Sequence, residues 1–117
     1  MRRSVIAVGA LVAGAALAPA AIGATTGPTK TVTLHDDYFS PSKMTVKSGT
    51  TIKWNWPVGL TDTHDVMLNK HPKGVKRFMS DYAAGGYTFK RKLVVPGTYT
   101  FLCDIHQGMT MKIVVRR

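Results

Sequence analysis

Residues 95–115 read VPGTYTFLCDIHQGMTMKIVV. Pro96-Gly97 marks a turn, and the alternation that follows from Thr98 to Cys103 is that of a β-strand with one buried face. Tyr99, Phe101 and Cys103 then point the same way, toward a core. A second apolar run, Met111 to Val115, reads as a closing strand. Between the two runs lies a short loop holding His106 and Met109. The stretch therefore predicts two strands joined by a loop whose side chains carry metal-ligand chemistry.

Outward from this hairpin the same period-two pattern recurs. Lys30 to Leu34 (KTVTL) reads as a strand with Val32 and Leu34 on one face. Lys43 to Lys47 leads into a turn at Ser48-Gly49. Thr50 to Trp56 (TTIKWNW) places Ile52, Trp54 and Trp56 on one side and Lys53 and Asn55 on the other. Asp65 to Asn69 and Tyr87 to Val95 supply two more strands, the latter after a Gly85-Gly86 turn. The segment from Pro72 to Ala84 is less regular and fits either a short helix or an edge strand. About seven or eight short strands with turn signals between them predict an all-β sandwich.

The N-terminus reads differently. Met1-Arg2-Arg3 precedes an apolar run from Val5 to Ala18, and small residues gather around Ala20 and Ala24. This is the pattern of a secretory signal peptide over residues 1–24, cleaved near Ala20 or Ala24. Pro19 and several glycines interrupt the run short of a clean membrane span, so no stable membrane insertion is expected after cleavage. Whether a general or a twin-arginine route is used stays open. Residues 25–29 read as a flexible lead-in and 30–117 as one small domain, placed in the periplasm or another space outside the cytoplasm.

Sixteen basic residues, less Arg2 and Arg3, leave fourteen against six aspartates, a net charge of +8 for the mature part. Such a surplus favours anionic partners, and an acidic face on a protein partner is the expectation. Nucleic acid is not expected, since the chain has no base-stacking motif or nucleic-acid module.

One cysteine in an exported chain cannot form an internal disulfide, and the paired spacings of structural zinc are missing. Cys103, His106 and Met109 instead offer a soft thiolate, an imidazole and a thioether within seven residues. With one more histidine that set suits copper. His64, at the start of the strand that follows TIKWNW, is held more rigidly than His35 beside Asp36 and Asp37, or than His71 in the lysine-rich KHPKGVKR run. A nucleophilic thiolate activated by histidine is the rival chemistry.

With these residues in place the chain resembles the small type 1 copper proteins of the cupredoxin family, the plastocyanin, pseudoazurin and amicyanin group. YFSPSKMTVKSGTTIKWNW resembles the family's early strands and VPGTYTFLC its penultimate one. The resemblance runs from Lys30 to Arg117. It implies a Greek-key β-sandwich with one copper ion at one end, bound by His64, Cys103, His106 and Met109. Met111 would match a longer ligand loop, but using it would shorten the last strand by two residues. Thr63 and Ile105 stand where the family often has proline, and Asp65 where it often has asparagine. An aspartate there can still accept backbone N–H bonds between the ligand loops, while its negative charge favours Cu(II) and lowers the potential.

The resemblance implies a monomeric single-electron carrier between donor and acceptor redox proteins, not an enzyme. Copper storage or delivery on the same fold is the alternative.

Overall fold

The computed structural model describes residues 27–117, and among them every regular element is a strand. The strands are β1 (Thr29–His35), β2 (Tyr38–Ser40), β3 (Lys43–Lys47), β4 (Thr50–Trp56), β5 (Met67–Lys70), β6 (Tyr87–Leu93), β7 (Gly97–Leu102) and β8 (Thr110–Arg116). They form two four-stranded sheets, in the orders β2-β1-β4-β6 and β3-β8-β7-β5. Each sheet is mixed: β1 runs parallel to β4, and β3 parallel to β8, while the other pairings are antiparallel.

The alternation read in the sequence is the alternation of burial. Along β4 every second residue from Thr50 to Trp56 is buried, and along β7 Tyr99 and Phe101 are buried while Thr98 is exposed and Thr100 and Leu102 are half-buried. These faces meet as one apolar core containing Trp54, Trp56, Phe39, Phe101, Leu68 and Ile113, all at most 1 % exposed. Trp54 lies 4.9 Å from Phe101 of the opposite sheet between ring centroids and 5.8 Å from Phe89, its neighbour in its own sheet, so one aromatic contact crosses between the sheets and the other runs within one. Tilted pairs at this range add to simple burial.

The elements differ from the sequence reading in several places: β6 ends at Leu93 instead of Val95, and β7 ends at Leu102, leaving Cys103 just beyond the strand. β2 is a separate short strand pairing Phe39 with Leu34, too brief to show an alternation of its own. β5 starts at Met67, not Asp65, because residues 64–68 pair first with the irregular segment after Pro72. The His64 N–H donates to the Ala83 carbonyl, Ser80 N–H to Val66, and Leu68 N–H to Phe78. That segment is therefore an extended edge, not a helix. The lead-in expected over residues 25–29 is shortened at its downstream end. Thr29 already belongs to β1, and the Pro28 carbonyl accepts the Thr51 N–H at 2.9 Å. The proposed signal peptide lies outside the described residues.

Candidate metal centre

One end of the sandwich collects the β1–β2 turn, the loop after β4, the edge segment around Ala83 and the loop between β7 and β8. Register ties them together: His35 faces Tyr38, Trp56 faces Tyr87, and Leu102 faces both Met67 and Thr110. Three potential metal ligands converge there, with ligand atoms all within 4.8 Å of one another: His64, Cys103 and His106. His64 Nδ1 lies 3.1 Å from His106 Nδ1, which is 3.5 Å from Cys103 Sγ.

His64 is held from all sides. Its backbone is locked to Ala83 by two hydrogen bonds, and its carbonyl also accepts the indole N–H of buried Trp56 at 3.1 Å. Its ring is fully buried, and Nε2 meets Asp36 Oδ1 at 2.9 Å. The same carboxylate accepts the N–H and hydroxyl of Thr61 and the N–H of Asp62. The bond with His64, followed by those from Thr61, holds the Asp36 carboxyl well below the usual carboxylate range. An ionised carboxylate on Nε2 places the ring proton there, so Nδ1 faces Cys103 and His106 as a lone pair.

Cys103 follows β7 directly and is 3 % exposed. Its Sγ accepts the Asp65 N–H at 3.5 Å, and Asp65 Oδ1 accepts the Asp104 N–H at 2.7 Å. Asp65 thus ties the loop carrying His64 to the loop carrying Cys103. Its other oxygen, Oδ2, is buried with no hydrogen-bond partner, and burial pushes its carboxyl pKa up against the Asp104 bond. Burial likewise pushes the Cys103 thiol up. At 3 % exposure the sulfur is closed off from any substrate, which disfavours the histidine-activated cysteine enzyme.

The ligand loop closes on itself. Cys103 N–H donates to the Met109 carbonyl at 3.0 Å and Met109 N–H to the His106 carbonyl at 3.2 Å. Gly108, at φ +85°, supplies the left-handed residue that this tight return requires. Met109 is 1 % exposed at the loop's end. Met111 is committed elsewhere: its Sδ accepts the Trp54 indole N–H at 3.4 Å in the sandwich core. Of the other histidines, His35 stacks on Tyr38 at 4.5 Å, and His71 Nδ1 lies 3.0 Å from the Pro72 carbonyl. Neither joins the cluster.

Asp36 is the functional neighbour that the sequence reading passed over. It lies 28 residues from His64, and the Asp36-Asp37 pair reads as an ordinary polar turn. Asp37 does adopt a positive φ of 70° there, but only the folded chain turns the Asp36 carboxylate onto the imidazole.

Two imidazoles and a thiol converging at the buried end of a rigid β-sandwich define a mononuclear site for a soft or borderline metal, and the donor set fits copper. Residues 28–116 match the family model of copper-binding proteins of the plastocyanin/azurin family, and the chain belongs to that family. It is 40% identical over 79 residues to a chloroplastic plastocyanin of Oryza sativa subsp. indica, which covers 62% of this chain and 50% of the rice protein. The chain thus spans about half the length of the first curated relatives it matches. Among solved structures, pseudoazurin from Methylobacterium extorquens AM1 superposes with a TM-score of 0.63 at 26% identity, covering 75% of each chain. An amicyanin variant superposes at 0.65 with 19% identity, covering 75% of this chain and 82% of the amicyanin, a likeness of fold.

Proposed function

We propose that this chain is an exported type 1 copper protein that carries single electrons between a donor and an acceptor protein. The observation that carries the reading is the convergence of His64, Cys103 and His106 at one end of the sandwich. His64 and His106 through Nδ1 and Cys103 through Sγ would hold the ion, with the thioether of buried Met109 as a further, weaker donor. A copper ion bound by these donors supplies a Cu(I)/Cu(II) couple that stores one electron.

The chain's own residues account for the remaining requirements. Strand ends and the closed Cys103–Met109 loop fix the donors, so little rearrangement accompanies a change of charge. Asp36 fixes the tautomer and tilt of His64. Asp65 joins the two ligand loops, through its N–H to Cys103 Sγ and its Oδ1 to the Asp104 N–H. Within the donor set His64, Cys103 and Met109 are buried, whereas the His106 side chain keeps 24 % of its surface exposed. His106 is therefore the port for electrons. Val58, 89 % exposed, and Ile105, 50 % exposed, lie in the two loops that carry the ligands and give a partner an apolar surface to settle on. In this reading the carrier works as a monomer outside the cytoplasm, a location that the signal-like sequence of residues 1–24 supports.

The test is the optical and EPR spectrum of the purified domain after addition of Cu(II). An intense blue or green thiolate-to-copper band with narrow hyperfine splitting is expected. A pale spectrum, preference for Cu(I) and rapid loss of metal to chelators would instead indicate copper storage or delivery.

A further inference from the structure

The end of the sandwich opposite the metal ligands is built from the chain's entry at Gly27, the turn 47–50, the loop 71–76, the turn 93–97 and the last residues of β8. These pieces are fastened to one another through the backbone. Ser48 N–H donates to the Arg116 carbonyl at 2.7 Å, and Gly49 N–H to the Leu93 carbonyl at 2.8 Å. A Cβ on Gly27 would stand 2.5 Å from the Gly49 carbonyl oxygen, and one on Gly97 2.6 Å from Pro72. The entry and the loop after β5 therefore press against the same turns.

This end carries an apolar tip. Val94 and Val95 are 53 % and 36 % exposed in the turn between β6 and β7. The carbonyls of that turn are already used. Those of Leu93, Val94 and Val95 accept the Gly49 N–H, the Ser48 hydroxyl and the Tyr99 hydroxyl in turn, and Pro96 has no N–H to satisfy. Water can be taken from such a turn at small cost, since unpaired backbone groups are what make a loop expensive to dewet. Behind the tip a groove of about 250 Å³ is lined by Val75, Phe78, Leu93 and Tyr99.

The charge around the tip has one sign. Exposed Lys47, Lys73, Lys76, Lys92 and Arg116 surround it, and the Arg91 guanidinium lies 4.5 Å from the Phe89 ring centroid at the wall of the groove. All six aspartates belong to the elements gathered at the metal end, and the chain has no glutamate. No acidic side chain in these pieces offsets the basic ones.

We propose that this end rests on an anionic lipid surface, with Val94 and Val95 at the boundary between headgroups and acyl chains and the basic side chains on the phosphates. An apolar tip inside a basic ring is what interfacial binding needs, because apolar burial and attraction to anionic lipid add. An acidic protein would answer the charge without a use for a protruding valine pair. The leader expected over residues 1–24 also joins the domain here, so while attached it brings the membrane to this side. Seven-residue strands at about 3.3 Å per residue put roughly 20 Å between the two ends. A protein seated this way keeps His106 facing away from the lipid. The contact uses no metal ligand, so it holds for the metal-free protein whether or not the carrier reading stands.

Co-sedimentation of the metal-free protein with vesicles tests this, using equal parts of phosphatidylglycerol and phosphatidylcholine against phosphatidylcholine alone. Binding to the anionic vesicles is expected, falling as ionic strength rises from about 0.1 M to about 1 M and the Debye length shrinks from about 10 Å to about 3 Å. Lys47 and Arg116 are register partners at this end of β3 and β8, as Lys43 and Lys112 are nearer the metal end. Lys47→Gln/Arg116→Gln should weaken binding by roughly 10–30-fold, since each basic residue near the surface contributes about fivefold. Lys43→Gln/Lys112→Gln removes the same charge and should cost far less, and Val94→Ser/Val95→Ser should weaken binding with the charge intact. Every variant carries the same N-terminus, so differences between them report this end. In the unsubstituted protein a nitroxide-labelled lipid should broaden the amide NMR signals of residues 47–49 and 92–97 before those of 104–107. Equal losses in the two basic pairs, or broadening first at 104–107, would overturn the proposed orientation. No preference for anionic vesicles, or capture by an immobilised acidic protein without vesicle binding, would overturn the lipid assignment.

Discussion

Replacing Met111 and Met109 separately by leucine should separate packing from metal chemistry. Both methionines are buried, at 3 % and 1 % exposure, and they stand two residues apart. The Met111 sulfur accepts the indole N–H of Trp54, which is itself completely buried between the sheets. In Met111→Leu that N–H loses its acceptor, which costs roughly 1–3 kcal/mol. The change of shape adds less than about 1.5 kcal/mol. A total of about 2–3 kcal/mol lowers Tm by on the order of 10–20 °C, since a domain of this size loses roughly 4–8 °C per kcal/mol. The copper spectrum should not change. Met109→Leu should behave in the opposite way. It keeps volume at the end of the loop and costs less than about 1.5 kcal/mol, but on the proposed ligand set it removes a thioether donor and should alter the hyperfine splitting and raise the potential. Thermal melts of the metal-free proteins, with EPR and voltammetry of the copper-loaded ones, measure both halves. A changed copper spectrum in Met111→Leu with an unchanged one in Met109→Leu would refute both the ligand assignment and the reasoning from the Trp54 bond.

Asp36→Ala should weaken copper binding by roughly 10–100-fold, the usual cost of removing a partner that orients a ligating histidine. Asp36→Asn should recover part of the loss, because an amide oxygen can still accept the Nε2 proton; competition with a chelator reads both. If neither variant moves the affinity, the carboxylate does not orient His64. Tyr82 gives a pH dependence of definite sign. Its hydrogen bond to Asp104 pushes the phenol pKa from 10.0 up to about 12 in the folded protein. The folded state keeps that proton longer than the unfolded one, so the contribution is complete below pH 10.0 and is lost as pH rises through about 12. Urea midpoints across that range should fall less steeply for Tyr82→Phe. An identical slope would mean that the bond to Asp104 does not persist in solution.

Much of this protein is local and therefore legible in its sequence. A strand with one buried face writes itself as alternation, so TTIKWNW and TYTFLC declare both their conformation and their inward residues. Cys103, His106 and Met109 share one loop, and a candidate ligand set within seven residues needs no tertiary information to be noticed. His64 required a choice among separated histidines, which the rigidity of its surroundings favours.

What only the tertiary structure decided depends on contacts between distant segments. Residues 64–68 spend their first hydrogen bonds on the edge after Pro72, delaying β5, and no local pattern encodes that competition. Met111 is set apart from Met109 by an indole 57 residues away. Asp36 becomes the partner of His64 only when the β1–β2 turn folds over the loop after β4. The surface charge follows the same rule. Net charge is a property of composition, but a field is a property of positions, and the fold brings Asp37 and Asp62 beside His106 in a basic protein.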